Sequence, residues 1–333
     1  MPERPDVPPL ELFTVLRALD CEAPTSSATL AARLSMGEAV VAASFDALEA
    51  HGVPLVRGPG GAVRLGTAFD ALAPEAVARA LPPQVRRAFD LTVIDATGST
   101  NADLREAAAA LPSGHVLAAE LQYAGRGRRG RGWTSPIGGG LTFSLLWKFS
   151  RGIAGLSGLS LAVGLATARA FGRCGAAGVM LKWPNDLLAP APLGLAKLAG
   201  ILIEITGSAE GPATAVIGIG INVRLGAARA RIDQAATDLA SLGFTQPRNA
   251  LLAVILEELL ATLRAFERDG FAPMIGDWNA QHAYQGRRVL VGAGDGAAYE
   301  ARALGVDRNG ALLLDTAEGE RRVASGEVSL RPV

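Results

Sequence analysis

Between Gly125 and Trp133 the chain reads Gly-Arg-Gly-Arg-Arg-Gly-Arg-Gly-Trp, four guanidinium groups and four glycines in nine residues. Arginine carries a permanent charge on a planar fork that matches phosphate or carboxylate, and glycine lets a backbone approach a ligand closely. The chemistry this composition suits is an anion clamp. The stretch also satisfies G-x-G-x-x-G, but a dinucleotide fingerprint must open a helix. Here Gly132-Trp133-Thr134-Ser135-Pro136 follows, which cannot start one. A Walker A loop is excluded because no Gly-Lys-Ser/Thr follows. A solvated basic loop or a nucleic-acid contact remain the alternatives at this point.

Three further groups could share that chemistry. Asp95-Ala96-Thr97-Gly98-Ser99-Thr100-Asn101 gathers small side chains that donate and accept hydrogen bonds; they could hold a polar ligand head or simply cap the helix that follows. Lys182 ends a strand before Trp183-Pro184-Asn185-Asp186, where it would add a point charge to a phosphate site or lie solvated. Glycines alternate with isoleucine in Val216-Ile217-Gly218-Ile219-Gly220-Ile221-Asn222, leaving room for a flat ligand or a crossing backbone.

Strands must position these groups. Apolar runs predict strands over 91–94, 116–122, 141–147, 179–182, 197–204 and 216–223, so the clamp is a loop held between two strands. Core helices are predicted over 156–173 and 248–268, the second carrying Leu251, Leu252, Val254, Ile255, Leu259, Leu263 and Phe266 inward. Upstream, helices over 10–20 and 27–34 and from Gly37 to Gly52 precede two short strands around Gly58-Pro59-Gly60-Gly61, the pattern of a winged helix-turn-helix. Val40, Val41, Phe45 and Leu48 of its third helix are expected inward. Its outer face reads Glu38, Ala42, Ala43, Ser44, Asp46 and Glu49. Residues 10–65 hold four arginines against six carboxylates, and DNA affinity comes largely from basic side chains on phosphates, so DNA binding is not expected. Prolines at 74, 82 and 83 suit a linker. After Trp278, short strands at 288–291, 298–301, 311–314 and 327–330 suggest a small β-barrel.

At 333 residues more than one domain is expected. Lys plus Arg and Asp plus Glu are each 32, so no bulk attraction draws the chain to nucleic acid or a membrane, and any basic site must be local. Cys21 and Cys174 lie far apart in sequence, which excludes a disulfide framework and a Cys-based zinc site and suits a reducing compartment. No signal-peptide core and no charge-free run long enough to span a bilayer occurs, so a cytoplasmic protein is expected.

Taken together, Ser99-Thr100-Asn101, the Gln122-to-Trp133 segment, Lys182-Trp183-Pro184-Asn185-Asp186 and Lys197-Leu198-Ala199-Gly200-Ile201-Leu202 resemble, in this order, the biotin protein ligases that carry an N-terminal winged-helix domain. The resemblance covers nearly the whole chain. It implies an α/β (α+β) protein with a winged helix-turn-helix at 1–68, a linker at 69–88, a catalytic domain at 89–280 built on a mixed sheet like that of class II aminoacyl-tRNA synthetases, and an SH3-like barrel at 281–333. It further implies that biotin and Mg-ATP give biotinyl-5′-AMP, and that a lysine of the biotin carboxyl carrier protein of acetyl-CoA carboxylase then takes the biotinyl group.

By the same resemblance Ser99, Thr100, Asn101, Gln122, Arg126, Gly127, Arg128, Lys182 and Gly200 contact biotin. Arg126, Arg128, Arg129, Arg131, Trp133, Lys182 and Asn222 contact ATP or the adenylate, and Lys182 and Arg128 are the catalytic choices. No protein-held metal is expected, Mg2+ arriving with ATP. The family admits a homodimer and a biotin-responsive repressor; the acidic third helix speaks against the repressor, and a lipoate ligase is the remaining alternative. Two departures stand out. Asp95 is separated from Ser99 by Ala96-Thr97-Gly98, which leaves it without an assigned role, and residues 187–196 make a longer hairpin than the family's.

Overall fold

The computed structural model describes residues 11–293, 298–324 and 328–332; Leu10 and Glu327, expected in the first helix and last strand, lie outside them. Helices α1 (Glu11–Ala18), α2 (Ser27–Leu34) and α3 (Glu38–Ala50) precede the hairpin β1 (Leu55–Arg57) and β2 (Val63–Leu65). The Ser26 side chain caps α2 by accepting from the Thr29 N–H, and α3 stops where Gly52 turns at φ 85°. Val41, Ser44, Phe45 and Leu48 form the buried stripe of α3 at helical spacing. Two expectations are thereby corrected: Val40 lies one position off that stripe and is exposed, and Ser44 is buried, its hydroxyl donating to the Val40 carbonyl at 2.8 Å.

The segment expected as a linker forms α4 (Pro74–Ala80) and α5 (Pro83–Arg86) and is strapped to the central domain. Leu72, Val77, Leu81 and Val85 are buried in the main core, and the Leu72 N–H donates to Glu120 at 2.7 Å.

The central domain runs β3 (Asp90–Thr97), α6 (Thr100–Ala107), β4 (His115–Gln122), β5 (Gly140–Phe149), α7 (Leu159–Arg173), β6 (Met180–Lys182), β7 (Asp186–Ala191), β8 (Gly194–Gly207), β9 (Ala213–Asn222), α8 (Arg248–Asp269) and α9 (Ile275–Ala280). Its seven strands are ordered β3-β4-β5-β9-β8-β7-β6; β3 and β4 are parallel, joined through α6, and the other neighbours are antiparallel. Strand alternation divides the chemistry between two faces. Phe143, Leu145, Trp147, Ile217, Ile219 and Ile221 join α7 and α8 in the main core. The opposite face carries Thr142, Ser144, Gly218 and Gly220 in register, and α6 packs on it through Leu104 against Leu117, Leu146 and Val216.

Residues Ile153–Arg173 are long and apolar enough to cross a membrane, but α7 within them is packed between the sheet and α8. The long hairpin resolves as β7 paired with β8 as far as Ala191 and Gly194, with Pro192 and a fully exposed Leu193 at its tip.

At the C-terminus, β10 (Arg288–Ala293), β11 (Tyr299–Val306), β12 (Leu312–Thr316), β13 (Gly319–Val323) and β14 (Val328–Pro332) form an antiparallel sheet in the order β13-β12-β11-β10-β14. It rests on the central domain where the Trp183 indole N–H donates to the Gly310 carbonyl at 3.0 Å.

Candidate active site

The glycines of β9 shape the site. Ser144, Gly218 and Leu202 form one cross-strand row, and Thr142, Gly220, Gly200 and Asp186 form the next. A Cβ on Gly218 would run into the Asn101 amide and one on Gly220 into the Trp133 indole, so the open rows seat one polar group and one aromatic plane on the sheet.

Asn101 comes from the first turn of α6. Its Oδ1 accepts from Ser144 Oγ at 2.6 Å, and its Nδ2 donates to the Leu202 carbonyl at 3.2 Å and Glu204 Oε2 at 3.0 Å. The start of α6 is secured by Gln122, whose Oε1 accepts from the Thr100 N–H at 2.8 Å and hydroxyl at 3.1 Å. Ser99 occupies the N-cap position yet makes no capping bond with its buried side chain. That side chain borders the cavity beneath the clamp, while Thr100 and Asn101 are bonded into its floor.

The clamp folds as a narrow hairpin. Gly127 N–H donates to the Arg131 carbonyl at 2.7 Å, Trp133 N–H to Gly125 at 2.8 Å, and Arg126 bridges Gly132. Its turn puts Arg129 at φ 58° and Gly130 at φ 69°, the left-handed region where glycine is at ease and arginine is strained. Arg126 Nη2 reaches Glu204 at 3.5 Å, and Arg128 Nη1 reaches Asn185 Oδ1 at 3.4 Å. Burial, with the charge of Arg129 adding to it, pulls the Arg128 guanidinium below its ordinary pKa.

Two cavities meet beneath this hairpin. The inner one, about 50 Å³, is lined by Ser99, Thr100, Asn101, Gln122, Arg126, Gly127, Arg128 and Gly200. The outer one, about 680 Å³, is lined by Arg131, Lys182, Asp186, Asn222 and Tyr284. Trp133 and Lys197 border both. Sites for small organic ligands run roughly 300–1,000 Å³, so the inner cavity, partly filled by Trp133, is smaller than such a site in this conformation.

Lys182 is thus set apart from the Ser99–Asn101 group, and Arg129 borders neither cavity. Asn222 spends its amide on the Lys197 and Thr237 carbonyls at 3.3 and 3.1 Å. Sequence reasoning left Lys197 without a role, yet its ammonium meets Asp186 Oδ1 at 2.7 Å and stands 5.6 Å from the Trp133 ring centroid, at the junction of the cavities. Ser144, Asn185 and Glu204 were also missed. The signal available for Lys197 was its place three residues before Gly200, which a bulge between Leu187 and Leu188 brings opposite Leu188 and beside Asp186.

A basic hairpin closing over a polar-floored pocket, beside a larger cavity carrying two lysines, defines an enzyme that brings a small ligand against an anionic one. The chain belongs to the biotin/lipoate A/B protein ligase family, whose model matches residues 92–222, with the biotin protein ligase C-terminal domain matching residues 284–331. It is 40% identical over 242 residues to the bifunctional ligase/repressor BirA of Escherichia coli, covering 72% of this chain and 73% of that protein. It is 36% identical over 245 residues to the biotin–[acetyl-CoA-carboxylase] ligase of Mycobacterium tuberculosis, covering 72% and 88%. The biotin protein ligase of Aquifex aeolicus, solved in complex with biotin and ATP, superposes with a TM-score of 0.63 at 31% identity, over 73% of this chain and 99% of that one.

Proposed function

We propose that this chain is a biotin protein ligase that joins biotin to ATP as biotinyl-5′-AMP, releasing pyrophosphate, and passes the biotinyl group to a lysine of the biotin carboxyl carrier protein of acetyl-CoA carboxylase. The observation that carries the reading is the junction of the two cavities at Lys197 and Trp133 under the clamp. The inner cavity suits biotin, with Ser99 and the floor around Asn101 meeting its polar ring. The outer one suits Mg-ATP. Asp233, exposed in its lining, is a carboxylate that would meet a magnesium ion carried by the phosphates, since Mg2+ keeps several waters and rides on substrate oxygens, whereas Asp186 is held by Lys197.

In the first step a biotin carboxylate oxygen attacks the α-phosphorus and pyrophosphate leaves. Both partners are anions, so fixed positive charge lowers the barrier. Arg126 and Arg128 supply it from above and Lys197 from the junction, with Lys182 placed toward the outgoing phosphates. In the second step the carrier lysine's neutral amine attacks the anhydride carbonyl and AMP leaves. Closure of the hairpin over the bound intermediate shields the anhydride from water between the steps.

DNA recognition is no part of this proposal. Arg57 at the base of the wing is held by Asp46 and Glu49 of α3 at 2.7 and 2.5 Å, and Ser27 binds Glu38, so the face that would meet phosphate is acidic and its arginine is spent. ATP–pyrophosphate exchange with biotin, lipoate and octanoate side by side tests the substrate. Exchange that depends on biotin alone is expected; exchange with lipoate but not biotin would overturn the reading. The two free cysteines suit a cytoplasmic site of action.

A further inference from the structure

A third cavity, about 310 Å³, opens between the winged helix, the strap before α4 and the central domain. Val53, Leu55, Leu65, Phe69, Ile137 and Leu225 give it apolar walls. Its charged groups are unevenly committed. Glu49 is bound by Arg57 at 2.5 Å and Asp70 accepts from the Arg248 N–H at 2.6 Å. Arg224 and Arg231 line the same cavity and are exposed, and among the described residues neither meets a carboxylate within ion-pair distance. An apolar chamber at a domain joint with two guanidinium groups at its edge, neither paired with a carboxylate among the described residues, has the size and chemistry of a small-molecule site.

We propose that this cleft binds a small amphipathic monocarboxylate, its apolar body between Val53, Phe69 and Ile137 and its carboxylate on Arg224 and Arg231. Arg231 gives the site a consequence. It also lines the nucleotide cavity, and it donates to the Ala50 carbonyl at the end of α3. A carboxylate that draws Arg231 toward the cleft changes the nucleotide cavity, so occupancy of the cleft and affinity for ATP are linked in both directions. The coupling rests on the ligase reading; the binding does not.

Sodium decanoate serves as the probe, titrated by calorimetry into the full chain with and without biotin and ATP. Saturable binding of one equivalent in both conditions is expected. Arg224→Glu, an exposed substitution, should weaken it roughly tenfold by reversing one charge, and Ala227→Trp should block the cleft. Decanol should bind far more weakly than decanoate. No saturable binding, binding lost when biotin and ATP are present, or equal affinity in both variants would overturn the site; equal binding of decanol would overturn the carboxylate. Decanoate should also shift the KM for ATP in the wild type and not in Arg224→Glu. An unchanged wild-type KM would overturn the coupling, whereas failure of biotin-dependent exchange itself would strike the ligase reading and leave the calorimetry standing.

Discussion

The two joints of this molecule are built from different materials. Where the winged helix and strap meet the central domain, charged groups overlie an apolar contact: Leu121 and Ile137 pack with the winged-helix core and Leu72 and Val77 enter the main core, while Arg17 grips Asp95, Arg231 reaches the Ala50 carbonyl, and Arg248, buried with Glu120, donates to the Asp70 carbonyl. Where the C-terminal sheet meets the central domain, the contacts are neutral. Trp183 donates to Gly310, Asn279 accepts from the Val306 N–H at 3.0 Å, and His282 stacks on Trp278 with centroids 4.7 Å apart. A charged joint answers to salt, substitution and small anions and can leave a cleft. A neutral one answers to whatever puts charge into it. The cavities proposed for biotin and ATP are lined by neither Arg248 and Glu120 nor Trp183 and Gly310, so stability and chemistry should separate under mutation.

Breaking the first joint at its buried point should have the largest effect. Arg248 and Glu120 side chains are each 1% exposed, with Nη2 to Oε2 at 2.8 Å, and Arg248 also donates to the Gly140 and Asp70 carbonyls. Arg248→Met leaves Glu120 as an uncompensated buried charge, a loss of about 3–5 kcal/mol. Chemical denaturation should show it, and adding Glu120→Gln should recover part. A variant within about 0.5 kcal/mol of wild type would show that the joint does not rest there.

At the junction of the cavities, Lys197→Ala should cost catalysis more than stability. Losing preorganised positive charge at the reacting centre typically lowers kcat by about 10²–10³, while unfolding should move on the order of 1 kcal/mol. Lys182→Ala, at the outer cavity, should lose less. Single-turnover adenylate formation compares them, and equal losses would erase the distinction between the two lysines.

The contrast between these lysines marks where sequence stops being legible. The clamp, the Ser99–Asn101 cluster and the isoleucine–glycine alternation of β9 are local signals, and the structure gathers their residues around one sheet face. The main helices and strands were legible for the same reason, since periodicity of 2 or 3.6 is written within a dozen residues. Lys197 was not, because its position depends on a bulge and on Gly220 lying across from Gly200. Arg248 and Glu120, 128 residues apart, read as an ordinary helix start and an ordinary strand carboxylate. The prolines of the strap are local signals, whereas the surface that buries Leu72 and Val77 is not.

Acid should break the second joint. Neither ring nitrogen of His282 has a hydrogen-bond partner among the described residues, and burial pulls its pKa from 6.5 down to about 4. In the unfolded chain the imidazole takes a proton near its ordinary value, so between pH 6.5 and 4 the unfolded state binds more protons. Its contribution is therefore whole above pH 6.5 and is lost as pH falls toward 4, on the order of 3 kcal/mol. Denaturation midpoints across that window should fall for the wild type and fall less for His282→Phe. Parallel slopes would assign the acid sensitivity elsewhere.

The smallest effect expected at either joint is at its most visible ion pair. Arg17 Nη1 donates to Asp95 Oδ2 at 3.0 Å and a second nitrogen meets Oδ1, a two-pronged bridge between α1 and β3 close to the catalytic floor. Its side chains are 48% and 42% exposed, so water and ions screen the pair, and ordering two long side chains offsets part of the attraction. Arg17→Ala should then cost about 0.2–1 kcal/mol, most of it gone in 1 M salt, where screening acts within about 3 Å. Arg248→Met should keep its deficit in the same salt, because its partner is out of reach of ions. Denaturant titrations of both variants at low and high salt make the comparison. If the Arg17→Ala deficit is large and survives salt, Asp95 is held as part of a rigid unit with the buried pair, and the winged helix is fastened to the catalytic floor far more tightly than two exposed side chains can account for.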